Sequence, residues 1–239
     1  MRRGIGLVVA VMAMWACTAQ QGNMKTASGL VQRKFQTEID GKSTDLFRLT
    51  NTSGMEVCVT NYGGRIVSIL VPDRKGIMRD VVLGFDNIAA YQKYSSNYGA
   101  TIGRYANRIA KGRFVLDGDT IQLDLNDKLG NNMHGGKPGW AYRVFDAVQK
   151  DPATLVLTYV SPDGESHFPG TVQVEVAYHL TDDNALDIAY TAVTDRPTVI
   201  NMTNHSFFNL SGKPSTAITD HIMWRSADSE MTIDSTMVP

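Results

Sequence analysis

From residue 45 onward the chain is a succession of short runs rich in β-branched and aromatic residues, each closed by turn residues. This pattern constrains the fold more than any other feature of the chain. Residues 45–50 and 55–61 flank Asn51-Thr52-Ser53-Gly54 and read as a hairpin. Residues 65–71 are apolar and β-branched, and are closed by Pro72-Asp73 and Lys75-Gly76. Residues 113–116 and 120–125 flank Asp117-Gly118, a strong hairpin signal because tight turns between strands favour positive φ. Residues 154–160, 171–180 and 185–193 continue the pattern, the last two turning at Asp182-Asp183-Asn184. Only residues 86–91 read as a helix, with Asp86 as its cap. Without helices between the strands, parallel βαβ units are excluded. An all-β fold built as a large antiparallel sandwich is expected instead.

Length and composition fit this expectation. The chain has 239 residues, 43% of them hydrophobic, enough for one sizeable β domain with a buried core. Lys and Arg number 23 against 24 Asp and Glu, with no basic stripe, so nucleic acid is not an expected partner. The N-terminus is distinct. Arg2-Arg3 precede an apolar segment over residues 5–15, followed by Ala16-Cys17-Thr18-Ala19. A basic start, a short apolar stretch and a small-residue end read as a signal peptide over residues 1–19, since the stretch is too short to span a bilayer. The protein is therefore expected to be exported. It would stand either free in the periplasm or as a lipoprotein anchored through Cys17, the anchor being its one route to a membrane. Residues 20–44 are polar and weakly patterned and read as a tether to a domain over 45–239. With Cys17 removed or lipidated, Cys58 has no disulfide partner and reads as a half-buried, inert thiol.

Three motifs carry chemistry. Thr203-Asn204-His205-Ser206-Phe207-Phe208-Asn209-Leu210 places a histidine among small polar residues and aromatics after an apolar run over 198–202. His205 can act there as a proton donor or can satisfy buried backbone at a strand end. Gly103-Arg104-Tyr105-Ala106-Asn107-Arg108-Ile109 offers an amide and a guanidinium in sequence, a donor and acceptor set suited to adjacent hydroxyls. Equally, Arg108 can be a surface arginine paired with a carboxylate and Asn107 a turn former. Asn131-Asn132-Met133-His134-Gly135-Gly136 puts His134 before two glycines that permit unusual backbone angles and close approach; such a segment can also be a simple turn.

Together, and in this order, the three motifs resemble the aldose 1-epimerase (galactose mutarotase) family, from about Asp45 to Pro239. The resemblance implies a galactose mutarotase-like β-supersandwich and the interconversion of α and β anomers of aldohexoses such as galactose and glucose. It assigns the proton donor to His205 and sugar binding to Asn107, Arg108 and His134, with Phe207 offering an aromatic face where the family usually has tyrosine. Mutarotation requires the C1 hydroxyl to lose a proton while the ring oxygen gains one. An imidazole and a carboxylate suffice for this, and neither needs a metal or cofactor. The resemblance also places the general base, a glutamate, and a sugar-binding aspartate beyond Pro239, so the domain is expected to be incomplete at its C-terminus. The alternative is a non-catalytic carbohydrate-binding module that lost its general base. The partner in either case is a small sugar, and the assembly is expected to be a monomer or homodimer. No Gly-x-Ser-x-Gly elbow, His-Glu-x-x-His, Cys-x-x-Cys or P-loop is present, which leaves no motif for serine hydrolysis, a metal site or nucleotide binding.

Overall fold

A computed structural model describes residues 24–94 and 96–238. The signal segment with Cys17, and the first residues of the expected tether, lie outside the described residues. The strands are β1 (Glu38–Ile39), β2 (Lys42–Ser43), β3 (Leu46–Thr50), β4 (Glu56–Thr60), β5 (Arg65–Pro72) and β6 (Met78–Asp80). After one short helix, α1 (Ile88–Lys93), come β7 (Thr101–Ile102), β8 (Arg108–Ile109), β9 (Arg113–Leu116), β10 (Asp119–Gln122) and β11 (Asn132–Met133). The long strands β12 (Asp146–Asp151), β13 (Thr154–Ser161), β14 (Val172–Leu180) and β15 (Leu186–Thr194) follow, and then β16 (Thr203–Asn204).

Two four-stranded antiparallel sheets, β3-β4-β5-β6 and β12-β13-β14-β15, form the sandwich. Strand β14 shows why. Val172, Val174, Val176, Tyr178 and Leu180 are buried while Gln173, Glu175 and His179 face out, the period of two that a half-covered strand requires. Those side chains meet Leu49, Val57, Val59, Ile66 and Ile69 of the other sheet, with Trp140 and Phe145 closing the same core. Each such aliphatic side chain contributes about 1.5–3 kcal/mol on burial. The predicted hairpin at Asp117-Gly118 forms as a two-residue turn, with Leu116 opposite Asp119 and both turn residues at positive φ.

Residues 24–44 depart from the expected tether. Strand β4 is buried along its whole length, so its second face needs a cover of its own. Phe35, fully buried, supplies it with Leu46, Cys58, Tyr62, Val67, Ile88 and Tyr91. The backbone N–H groups of Ala27 and Ser28 donate to the buried Glu56 carboxylate at 3.0 and 3.2 Å, tying the segment down. One smaller expectation also changes. The helix cap is Asn87, whose side chain accepts from the Ala90 N–H, while Asp86 is held by Lys34 at 2.8 Å.

Cys58 is buried completely rather than by half. Burial, with the Glu56 carboxylate beside it, pushes its thiol up to about 12. In the native protein at about pH 8 the thiol is therefore protonated and shielded. Iodoacetamide treatment followed by peptide mapping should find Cys58 unmodified until the protein is unfolded. Stoichiometric native labelling would show that the cover formed by residues 24–44 is absent.

Candidate active site

The site is assembled from two small strand pairs beside the sandwich. Strand β8 pairs with β11, setting Arg108 opposite Met133 and Ile109 opposite Asn132. Asn107 and His134 therefore meet at the end of this ladder. Each bonds the other: the Asn107 N–H donates to His134 Nδ1 at 3.1 Å, and the His134 N–H donates to the Asn107 carbonyl at 2.9 Å. Both residues hold positive φ, 63° and 54°. That region costs a non-glycine residue of order 1–3 kcal/mol, and residues held in it concentrate at functional sites. The bond into Nδ1 also fixes the tautomer: Nδ1 is the acceptor, so the proton of the neutral ring sits on Nε2.

Strand β16 pairs with β7, setting Thr203 opposite Ile102 and Asn204 opposite Thr101. His205 follows directly, its N–H donating to Ala100 and its carbonyl accepting from Gly99. Asn204 and Ser206 serve this turn: the Asn204 amide donates to the Gly99 carbonyl, and the Ser206 hydroxyl donates to Asn204 Oδ1. The two pairs bring the imidazoles of His205 and His134 together, ring centroids 5.0 Å apart and edge to face. Phe207, 41% exposed, has its ring centroid 5.0 Å from that of His205 and is in edge contact with Tyr98 at 5.2 Å.

Arg108 donates through Nε to Asp127 at 2.8 Å and through Nη1 to Asn107 Oδ1 at 3.3 Å. It thus pairs with a carboxylate and faces the site at once. Burial pushes the Asp127 carboxyl up, but N–H bonds from Asn131 and Leu129 and the Arg108 guanidinium outweigh it and hold the group below the usual carboxylate range. All five residues singled out in the sequence, Asn107, Arg108, His134, His205 and Phe207, form one contiguous cluster. Asp127 is a member that sequence reasoning missed. Its only local signal is the turn it closes, accepting from the N–H groups of Leu129 and Asn131.

Trp140 and Phe168 are core residues, and the remaining histidines lie elsewhere. His167 lies against Asp124, His179 against Thr154, and His221 accepts from the Leu210 N–H. Among the described residues no group of three or more His, Cys, Asp or Glu is placed to hold a metal ion.

Close packing shapes the site from beneath. A Cβ at Gly103 would stand 1.9 Å from the Trp140 ring, and one at Gly135, where φ is 83°, would stand 2.0 Å from the Gly103 carbonyl oxygen. Only glycine fits either position. The result is a shallow face carrying a guanidinium, an amide, two imidazoles and an aromatic ring. Such a set can grip a small polyhydroxylated ligand and move a proton on it.

Comparison with known proteins agrees with this geometry. Residues 45–239 match the family described as Aldose 1-epimerase. The chain is 36% identical over 200 residues to the aldose 1-epimerase of Escherichia coli K12, covering 84% of this chain and 57% of that protein. It is 38% identical over 222 residues to the human galactose mutarotase, covering 91% of this chain and 59% of that protein. The chain thus spans less than two thirds of the length of these relatives. Among solved structures, a GalM/aldose epimerase homologue from C. elegans superposes with a TM-score of 0.67 at 29% identity, over 70% of this chain and 51% of that one. The galactose 1-epimerase of Lactobacillus acidophilus gives 0.65 at 32% identity, over 73% and 52%.

Burial, reinforced by His205 and Arg108 nearby, lowers His134 from 6.5 to about 4. Protonation would also break its bond with the Asn107 N–H. Between those two values the unfolded chain binds the proton and the folded chain does not. The contribution of this group to stability is therefore complete above 6.5 and is lost as pH falls towards 4. NMR titration of the ring protons should place the His134 midpoint near 4; a midpoint near 6.5 would mean that the ring is not buried beside His205 and Arg108.

Proposed function

Since the chain belongs to the aldose 1-epimerase family, we propose that it takes part in interconverting the α and β anomers of aldohexoses, galactose and glucose among them. The proton on the C1 hydroxyl leaves to a base as the ring oxygen receives one from an acid. The bond between C1 and the ring oxygen breaks, C1 becomes an aldehyde carbon, and rotation about C1–C2 lets the ring close on either face. Closure returns both protons, so the reaction consumes nothing.

The observation that carries this reading is the pair of facing imidazoles bordered by Phe207, Asn107 and Arg108. His134 is committed through Nδ1 and held neutral, which suits a hydrogen-bond donor that orients a hydroxyl through Nε2–H. His205 carries no side-chain commitment of that kind and takes the role of proton donor to the ring oxygen. Asn107 and Arg108 bind neighbouring hydroxyls, and Phe207 lies against the apolar face of the sugar. Asp127 is already engaged by Arg108 and backbone N–H groups and serves to aim the guanidinium. The acceptor of the C1 proton is assigned to a glutamate, as the family resemblance implies. The protein acts after export, once its signal peptide is cleaved, with Cys17 the first residue of the mature chain where it is lipidated.

Polarimetry of freshly dissolved α-galactose tests the activity in the full-length protein. Exchange should exceed the uncatalysed rate, and His205→Ala should lower turnover by about 10²–10⁴-fold with a small change in KM. His179→Ala, distant from the site, should leave the rate unchanged. A wild-type rate equal to the uncatalysed one would remove the enzyme reading. For export, mass spectrometry of the protein from whole cells should find the mature N-terminus at or near Cys17, and an intact Met1 would contradict it.

A further inference from the structure

Glu165 lies outside the cluster just described, yet the site leads back to it. It opens the short turn Glu165–His167, and its carboxylate is 6% exposed. One carboxylate oxygen accepts from Arg143 Nε at 2.8 Å and from the Tyr159 hydroxyl at 2.7 Å. The other accepts from Trp140 Nε1 at 3.3 Å and, over a short contact, from the Ser161 hydroxyl. A hydroxyl has one proton. Because Ser161 gives its own to Glu165, its lone pairs are left for Arg104 Nε, which donates to it at 2.9 Å.

Arg104 is 1% exposed, and its remaining donors reach the carbonyls of Pro169, Ser161 and Pro162 and the Thr198 hydroxyl. Its own backbone carbonyl accepts from Asn201, whose carbonyl in turn accepts from Ala106. The segment leading to Asn107 and the segment leading to His205 are both attached here. Trp140, whose indole is the second group oriented by Glu165, fills the space against Gly103 with its ring, and its backbone N–H donates to the Gly103 carbonyl at 3.3 Å. The turn also touches the third motif directly. The Ser166 hydroxyl donates to the Lys137 carbonyl at 3.1 Å, and a Cβ on Gly136 would lie 2.9 Å from Ser166 Cβ.

We propose that Glu165 is the positioning residue of this site: its buried carboxylate orders Ser161 and Trp140, these set Arg104 and Gly103, and the three site loops take their places from them. That the loops form a sugar site rests on the reading above; that Glu165 sets their geometry does not. A buried ionic cluster adds little net stability over apolar packing of the same volume. What this one supplies is direction, since every donor around the carboxylate has a single geometry that satisfies it.

His134 provides a gauge of that geometry, because its low midpoint depends on burial and on the nearness of His205 and Arg108. Glutamine cannot accept from all the donors around position 165, and alanine at 161 removes the hydroxyl that joins Glu165 to Arg104. In Glu165→Gln and Ser161→Ala, the His134 ring-proton midpoint should rise by about one pH unit or more towards that of a free imidazole. Tyr159→Phe deletes one hydrogen bond to the same carboxylate without touching Arg104, and should leave the midpoint where it is. Thermal unfolding of each variant separates loss of stability from loss of geometry, and His179 is the internal reference. If Glu165→Gln does not fold, the pair Ser161→Ala and Tyr159→Phe decides alone. An unmoved His134 in folded Ser161→Ala, or an equal shift in Tyr159→Phe, overturns the positioning role. Neither result depends on anomer exchange, so a failure of the catalytic reading would be seen separately by polarimetry.

Discussion

The guanidinium of Arg104 is buried and uses every donor it has: one bond from Nε and two from each terminal nitrogen, to five acceptors on three segments of chain. Hydrogen bonds from a charged donor are worth about 1.5–3 kcal/mol each, and a buried acceptor left without its donor costs a comparable amount. Burial pulls the guanidinium's affinity for its proton down, and the Glu165 carboxylate is the largest influence pushing it back up. The segments around Arg104 that carry the site have little regular structure of their own. Strands β7, β8, β11 and β16 have two residues each, too few to fix a backbone without outside support. Arg104 ties them to the end of β13 and to Pro169 and Thr198.

The two long sheets supply the body against which that arrangement is fixed. Their shared core holds Trp140 and Phe145, and Trp140 in turn forms the floor under Gly103. A second buried cation supports the other flank. Arg65 is enclosed by the rings of Tyr62, Tyr91 and Tyr142 and donates to the carbonyls of Ser96, Tyr98 and Ala141. That holds the loop from which Tyr98 backs Phe207. Site residues on loops, with the loops held by buried side chains anchored in sheets, is the common solution for a site that needs precision without regular secondary structure.

How much of this was legible in the sequence depended on the range of the interaction. The Asp117-Gly118 hairpin and the alternation of β14 depend on adjacent residues, and both were readable. The segment over 24–44 was misread because its polar composition hides the one residue that matters, Phe35. Its burial follows from β4 being buried on both faces, a fact about a partner some twenty residues away. The Asp86 cap failed for the same reason: a distant lysine claims that carboxylate, and Asn87 does the capping. The apolar run over 198–202 promised a strand but has only a bridge from Asn201 to Tyr105, and the pairing strand begins at Thr203. At the site, the five motif residues were found because each lies inside a short recognisable stretch. Asp127 reaches Arg108 across 19 positions, and Glu165 reaches Arg104 only by way of Ser161, whose bond to Arg104 spans 57, so no local pattern marks either.

The two facing imidazoles follow from the same logic. Two histidines 5.0 Å apart do not share a positive charge comfortably, so one of them must give up its proton first. Backbone geometry decides which. His134 is pinned in the left-handed region with Nδ1 facing an N–H donor, an arrangement that only the neutral ring satisfies. Its ring is therefore a fixed donor through Nε2. Phe207 extends the division of labour. A phenylalanine there leaves an aromatic face without a hydroxyl, tilted beside His205 and braced by Tyr98, so nothing on that side offers the imidazole a rival hydrogen-bond partner. His205 is thus bordered by a neutral imidazole and by an apolar ring, each with its centroid 5.0 Å away.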